Sequence, residues 1–390
     1  MNAIPGIQSG AADLVAWRRD IHAHPELAYE EFRTSTLVAD LLRSWGFDVD
    51  VGLARTGVVG TLVNGSGAAV GLRADMDALP MQETNGFDHR SRIDGRMHAC
   101  GHDGHTVMLL GAARYLAATR DFRGTVRCIF QPAEEAAGGA KVMLDEGLFE
   151  RLPVDAVFGM HNWPGLEAGR FAMRPGPMMA SLDCFDIVIE GRGAHGALPH
   201  YGVDPIVAAA AVIEALQTIV SRNVDPLRAA VVSVTKIHAG DAHNIIPERA
   251  ALGGGIRCFD PALRAFLRSR VDEVVTGVAR AFGAQGRTEF VSEHPAVLND
   301  PASTVLAARV AAGLVGDARV DAAAEPVLGS EDFAYMLERK PGCYVFIGNG
   351  AGEGSCMIHN PGYDFNDEIL AIGASYWVRL AEAFLARGAP

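Results

Sequence analysis

The nine residues MHACGHDGH (97–105) hold a cysteine, three histidines and an aspartate. Cys100 and His102 stand two apart with Gly101 between them, a spacing that lets both aim at one centre. A thiolate and an imidazole are borderline-soft ligands, suited to zinc and neighbouring divalent ions. His98 and His105 are either further ligands or partners of ligands, and Asp103 is placed to hold a ligand histidine in one tautomer. The bland account is a flexible loop with incidental histidines, and the density of donors argues against it.

Three further segments carry donors. QPAEE (131–135) sets Glu134 and Glu135 side by side after an apolar run. Adjacent carboxylates repel, so both stay ionised only near positive charge. Beside a metal, one of the pair can bind it while the other handles a water proton. GMHNWPG (159–165) carries His161, and MIHNPGYDFND (357–367) carries His359 just before a turn. Asn366 or Asp367 is expected to cap the helix that follows. Alone, each of these reads equally well as a solvated turn or a structural histidine. Together they give five N, O and S donors and a spare carboxylate, enough for two ions about 3.5–4 Å apart with a shared water. A structural zinc site is closed by four ligands and needs no spare glutamate.

The elements around these segments are those of an α/β layer. Residues 13–45 read as helix interrupted at Pro25. GVVGTLV (57–63), AAVGLRAD (68–75), GTVRCIFQ (124–131) and VDAVFGMH (154–161) are short, nearly continuous apolar runs, and TVMLLGAARYLAAT (106–119) is apolar all round like a buried helix. Such strands alternating with helices predict a largely parallel sheet. Ligand-type side chains at its strand ends are where a rigid sheet presents them.

The middle of the chain has another rhythm. Strands at 184–191, 229–240, 249–259 and 287–294 and helices at 205–222 and 261–283 give β-α-β-β-α-β, a split βαβ unit of ferredoxin-like type. The expected organisation is a discontinuous catalytic domain, 1–182 and 296–390, with an inserted domain at 183–295. Glycine-rich stretches at 191–196 and 253–255 suggest that the insert moves to close the site.

Composition excludes several classes. The 390 residues carry a net charge of −13, spread along the chain with no basic stripe, which argues against nucleic acid. No run approaches the roughly 20 apolar residues expected of a membrane helix, and the first residues lack the basic start and apolar run of a secretory signal. Six cysteines in so long a chain are no disulfide framework, and Cys128, Cys184 and Cys258 read as buried, inert thiols. A cytoplasmic location is the simplest expectation.

The sequence resembles a known family. RRDIHAHPELAYEE (18–31), GLRADMDALPMQE (71–83), MHACGHDGH, SEDFAYM (330–336) and MIHNPGYDFND occur in the order seen in the dinuclear metallohydrolases. These include hippurate hydrolase, aminoacylases and the plant amidohydrolases acting on indole-acetyl amino acids. The resemblance implies a zinc-peptidase-like α/β domain with an inserted dimerisation domain. It puts Cys100, His102, Glu135, His161 and His359 on the metal ligands and Glu134 on the general base. His195 in GRGAHGALPH falls on a histidine that approaches the reacting carbonyl, across a dimer interface in related enzymes. Asn244 in HNIIP and Arg257 in GGGIR fall on substrate-binding positions. Two departures stand out. Distant relatives carry an HxD metal motif where this chain has RAD, with Arg73 in place of histidine, so Asp75 is expected to support a ligand. GGGIR also differs from the GTIR form of this branch.

The implied activity is hydrolysis of the amide bond of N-acyl amino acids by two divalent ions. Zinc is favoured by the cysteine ligand, with manganese, cobalt or nickel as alternatives. A dipeptidase or carboxypeptidase on the same scaffold is the competing enzyme. A metal-dependent binding protein would need the ligands but neither Glu134 nor His195. Exposed sheet edges in the insert suit a homodimer or higher homo-oligomer.

Overall fold

Near-continuous apolar runs become strands buried on both faces, as a parallel sheet covered by helices requires. In the computed structural model, Ala69–Asp75, Ala156–Pro164 and Gly342–Gly350 are almost wholly buried. The structure describes residues 3–135, 138–351 and 356–386. The chain divides into two compact units, one of Met1–Met178, Leu298–Glu325 and Asp332–Pro390, the other of Met179–Val297 and Pro326–Glu331.

The first unit is built on an eight-stranded sheet. Its four central strands, Gly124–Gln131, Ala69–Asp75, Ala156–Pro164 and Gly342–Gly350, are mutually parallel neighbours in that order. The hairpin Asp48–Leu53 and Gly57–Asn64 extends one edge in antiparallel fashion. Short strands Phe171–Ala172 and Val320–Asp321 finish the other. The edge strand Asp48–Leu53 is largely solvent-facing and has no apolar run to announce it. Helices His102–Thr119 and Leu370–Leu385 pack together, with Ala11–Ala23 against the former. The His102 helix is buried along most of its length, and its apolar residues join those of the sheet in one core. It starts four residues earlier than its apolar run, so His102 and Asp103 open its first turn.

The second unit is a four-stranded antiparallel sheet, in the order Ala230–His238, Arg249–Cys258, Ser181–Glu190, Gln285–His294. Ser181–Glu190 alternates strictly between buried and half-buried residues, the pattern of a sheet covered on one face. Helices Pro205–Thr218 and Pro261–Ala281 supply that cover. Both start alike: Asp204 accepts the Ile206 N–H and Asp260 the Leu263 N–H, each followed by a proline whose missing N–H costs nothing there. The βαββαβ order is ferredoxin-like.

Two expectations need correction. Gly253 to Gly255 are no hinge, because they lie inside the strand Arg249–Cys258. A Cβ on Gly254 would sit 2.0 Å from the Ser233 carbonyl oxygen and 2.6 Å from the Phe185 ring, so glycine is required for close packing. Gly191 is similar, with the Val203 carbonyl oxygen 2.2 Å from where its Cβ would be. Secondly, one helical stretch, Pro205–Asn223, is long and apolar enough to cross a membrane by length and composition, with mean hydropathy 1.4. Its Ala208, Ala209, Val212, Leu216 and Ile219 are buried in the core of the second unit, which accounts for the apolar face.

Candidate metal centre

The donors gather at the carboxyl ends of the central parallel strands, where an open α/β sheet presents its ligand-binding loops. Asp75 ends one strand, Gln131 ends its neighbour and leads into Glu134 and Glu135, and His161 lies in a third. Cys100 and His102 flank Gly101, which precedes the helix in a left-handed conformation at φ +89°. His359 also adopts a left-handed backbone, φ +62°, and its N–H donates to the Ala99 carbonyl at 2.8 Å. That bond ties the His359 turn to the residue beside Cys100.

The first unit brings five expected ligands together in overlapping groups. Donor atoms of Cys100, His102 and His161 lie within 4.8 Å of one another, as do those of Cys100, Glu135 and His359, and those of His102, Glu134 and Glu135. Cys100 Sγ is 3.3 Å from His161 Nε2, and His359 Nε2 is 3.1 Å from Glu135 Oε1. His102 Nε2 is buried and makes no hydrogen bond among the described residues, while Glu135 Oε1, also buried, has only His359 Nε2 at 3.1 Å. A buried polar atom left unpaired is costly, and His102 Nε2 lies within a cluster of N, O and S donors. The residues therefore fit divalent cations on chemistry and on satisfaction alike.

The ring nitrogens turned away from the cluster are fixed by partners. His102 Nδ1 faces Asp77 Oδ1 at 3.1 Å. His161 Nδ1 donates to the Asn162 carbonyl at 2.6 Å, leaving the Nε2 lone pair toward the cluster. Burial and the neighbouring His105 hold His161 far below the usual histidine range, so it is a neutral imidazole. Against the desolvation of burial, Asp75, Asp77 and Glu135 raise His102 to about 10. Burial, with Glu135, Glu134 and Asp75, pushes the Cys100 thiol well up. Carboxylates contribute to both effects, a negative field that a divalent cation would answer, although for Cys100 burial is the larger cause.

Asp75 faces two histidines and Arg73. Its Oδ1 is 2.6 Å from His105 Nδ1, and its Oδ2 is 2.7 Å from Arg73 Nη1 and 3.8 Å from His102 Nε2. His105 Nε2 accepts the Asn162 N–H at 2.9 Å, so both its nitrogens are engaged and it acts as a support. Asp103 departs from expectation. It holds no ligand histidine but faces the other side of its helix turn, with Oδ2 2.8 Å from His22 Nδ1 and 3.5 Å from Arg18. The reason is that His102 Nδ1 is already taken by Asp77. His98 is buried, held neutral near 3 chiefly by burial, and joins none of the donor groups found among the described residues. Asn366 caps its short helix by accepting the Glu368 N–H, while Asp367 pairs with Arg18 at 2.7 Å and Arg19 at 2.9 Å.

Sequence reasoning missed three residues that hold the QPAEE loop. Asp77 Oδ2 accepts the Glu135 N–H at 3.0 Å. Glu31 Oε1 accepts the Ala133 N–H at 2.9 Å. Asp332 accepts from the Gln131 amide at 2.7 Å and the Ala140 N–H at 2.9 Å, and its own N–H points to Glu134 Oε1 at 3.4 Å. The signal for Asp77 was present as the second acid of RADMD; the other two are far away in sequence and only the fold brings them in.

His195, Asn244 and Arg257 belong to the second unit. His195 and Asn244 stand on adjoining turns, with Ala194–His195 paired to Ile245–Ile246 and the Gly196 N–H on the Asn244 carbonyl at 2.8 Å. His195 Nδ1 accepts the Ala197 N–H at 3.0 Å, which leaves the proton of the neutral ring on Nε2. Arg257 is on the strand Arg249–Cys258, and one guanidinium nitrogen donates to the Leu328 carbonyl at 2.7 Å.

Residues 71–383 match the family described as Peptidase family M20/M25/M40. The chain is 42% identical over 386 residues to a hippurate hydrolase of Campylobacter jejuni, covering 99% of this chain and 100% of that one. It is 40% identical over 372 residues to an N-acetylcysteine deacetylase of Bacillus subtilis, covering 94% and 96%. A crystal structure of a dinuclear metal-binding peptidase of the M20 family from Bacillus subtilis superimposes with a TM-score of 0.84 at 36% identity, covering 97% of this chain and 99% of that one. With the fold, the donor cluster and full-length similarity in agreement, the chain belongs to peptidase family M20/M25/M40.

Proposed function

We propose that this protein hydrolyses the amide bond of N-acyl amino acids, releasing a carboxylic acid and a free amino acid. The observation that carries the reading is the pairing of a multi-donor cluster with a spare carboxylate, Glu134, within 4.8 Å of His102 and Glu135 donor atoms. Full-length similarity to a hippurate hydrolase and an N-acetylcysteine deacetylase supports the substrate class.

Cys100, His102, Glu135, His161 and His359 would hold two divalent ions, and the thiolate favours zinc. When bound, such ions polarise a carbonyl and bring the pKa of water toward neutrality. Glu134 takes a proton from the attacking water and delivers it to the leaving amine nitrogen. His195 is assigned the developing oxyanion, to which its Nε2–H is the donor. Arg257 offers a planar fork for the α-carboxylate of the substrate, and Asn244 a neutral amide for its polar groups. Dimerisation through the inserted unit and a cytoplasmic location complete the reading.

The test is a panel of N-acetyl, N-benzoyl and aminoacyl substrates given to enzyme reconstituted with zinc, manganese, cobalt or nickel. Turnover of acyl amino acids with little of dipeptides is expected. Preference for dipeptides would turn the reading to a peptidase. Sedimentation at graded concentration measures the oligomer.

A further inference from the structure

Glu31 is a carboxylate with no part in the chemistry above, yet it is wholly buried at the foot of the QPAEE loop. Its Oε1 accepts the Ala133 N–H at 2.9 Å, and its Oε2 accepts the Thr56 hydroxyl at 2.6 Å. Ala133 is the residue before Glu134 and has φ +57°, a left-handed conformation that disfavours side chains other than glycine. A residue held there needs surrounding structure to over-determine it. Glu31 supplies that restraint from a distant segment, since Thr56 and Ala133 together fix both of its oxygens.

We propose that Glu31 is a positioning residue for hydrolysis: its hydrogen bond to the Ala133 N–H locks the left-handed turn that aims the Glu134 carboxylate. The proposal rests on Glu134 being the general base. It makes the hydrogen bond, not the charge, the working feature. Burial raises the Glu31 carboxyl to about 7, and a protonated carboxyl still leaves one oxygen to accept from Ala133. Glutamine keeps that acceptor too, and its amide can donate to the Thr56 oxygen.

The experiment uses the full-length, metal-loaded enzyme with the best substrate of the panel. Glu31→Ala, Glu31→Gln, Glu134→Gln and the Glu31→Ala/Glu134→Gln pair are compared in kcat, KM and metal content. Misaiming a catalytic group by about 1 Å can cost roughly 100-fold, so Glu31→Ala is expected to lower kcat about 10- to 100-fold with KM and bound metal nearly unchanged. Glu31→Gln should recover to within about threefold of wild type. In the Glu134→Gln background the Glu31→Ala change should have almost no further effect, because both act through one group. Wild-type kcat in Glu31→Ala, equal impairment of the alanine and glutamine variants, or a full additional loss in the pair would each overturn the proposal. Turnover by Glu134→Gln near the wild-type rate would instead remove the base reading on which it rests. If Glu31→Ala does not fold, Thr56→Val takes its place, with a smaller fall in kcat expected and an unchanged kcat overturning the proposal.

Discussion

Asp77 joins His102 to the loop that carries Glu135: one carboxylate oxygen lies 3.1 Å from His102 Nδ1, and the other accepts the Glu135 N–H at 3.0 Å. A single side chain thereby fixes the tautomer of one expected ligand and the backbone of another. Such partners keep the ligand nitrogen turned toward the metal and raise its basicity.

Replacing Asp77 with alanine should weaken metal binding about 10- to 100-fold while the fold survives. Competition with a chromophoric chelator measures this. Unchanged affinity would mean that His102 is held by something other than Asp77.

Gly101 admits no side chain. It has φ +89°, and a Cβ there would lie 2.3 Å from Asn162 Nδ2 and 2.5 Å from the Tyr363 hydroxyl. The Tyr363 hydroxyl donates to Asn162 Oδ1 at 2.7 Å, and Asn162 Nδ2 donates to the Cys100 carbonyl at 2.6 Å. Gly101→Ala is expected to cost at least about 1–3 kcal/mol in backbone strain alone and to lower bound metal. Elemental analysis alongside urea unfolding checks both, and a variant with full metal and wild-type stability would contradict the account.

Arg73, where distant relatives carry a metal-binding histidine, is a fully buried cation between two buried carboxylates. It lies 2.7 Å from Asp75 and 3.0 Å from Asp332. Removing one partner of a buried ion pair leaves an uncompensated charge, so Arg73→Met should destabilise by roughly 3–5 kcal/mol. Unfolding midpoints in urea measure it, and a loss below about 1 kcal/mol, the worth of a surface pair, would show that the network is not needed for stability.

Stability should fall at alkaline pH through His22. Burial opposes its charge, but Asp103 more than compensates, raising it from 6.5 to about 9. The folded state therefore binds the proton more tightly than the unfolded state. The stabilisation is complete below about 6.5 and is lost as pH rises through about 9, on the order of 3 kcal/mol in all. Urea unfolding between those limits should show a downward slope that His22→Gln makes shallower, with His102, raised to about 10, contributing the remainder. A flat profile in the wild type would be inconsistent with a charged His22.

Much of this was legible in the sequence, and for physical reasons. Interior parallel strands must be apolar on both faces, so Ala69–Asp75 and Gly342–Gly350 announce themselves. The donors of MHACGHDGH and QPAEE are too dense for chance, and the fold draws them together with His161 and His359. What was not legible depends on distance in space. Nothing local tells that Glu31 reaches Ala133 or that Asp332 reaches Gln131, because those contacts span 102 and 201 positions. Asp103 misled for a related reason: adjacent residues on a helix point about 100° apart, so the neighbour of His102 serves Arg18 and His22 instead. The glycines at 253–255 read as flexibility, yet they lie inside a strand and Gly254 is a packing requirement.

The central claim is that Glu134 moves the water proton beside a metal cluster it does not itself hold together. The most direct measurement is kcat of Glu134→Gln on an N-acyl amino acid, with bound metal determined on the same sample. The account predicts two equivalents of metal and a kcat lower by about 10²- to 10⁴-fold. Full metal with a kcat within about tenfold of wild type, less than general-base catalysis contributes, would contradict it.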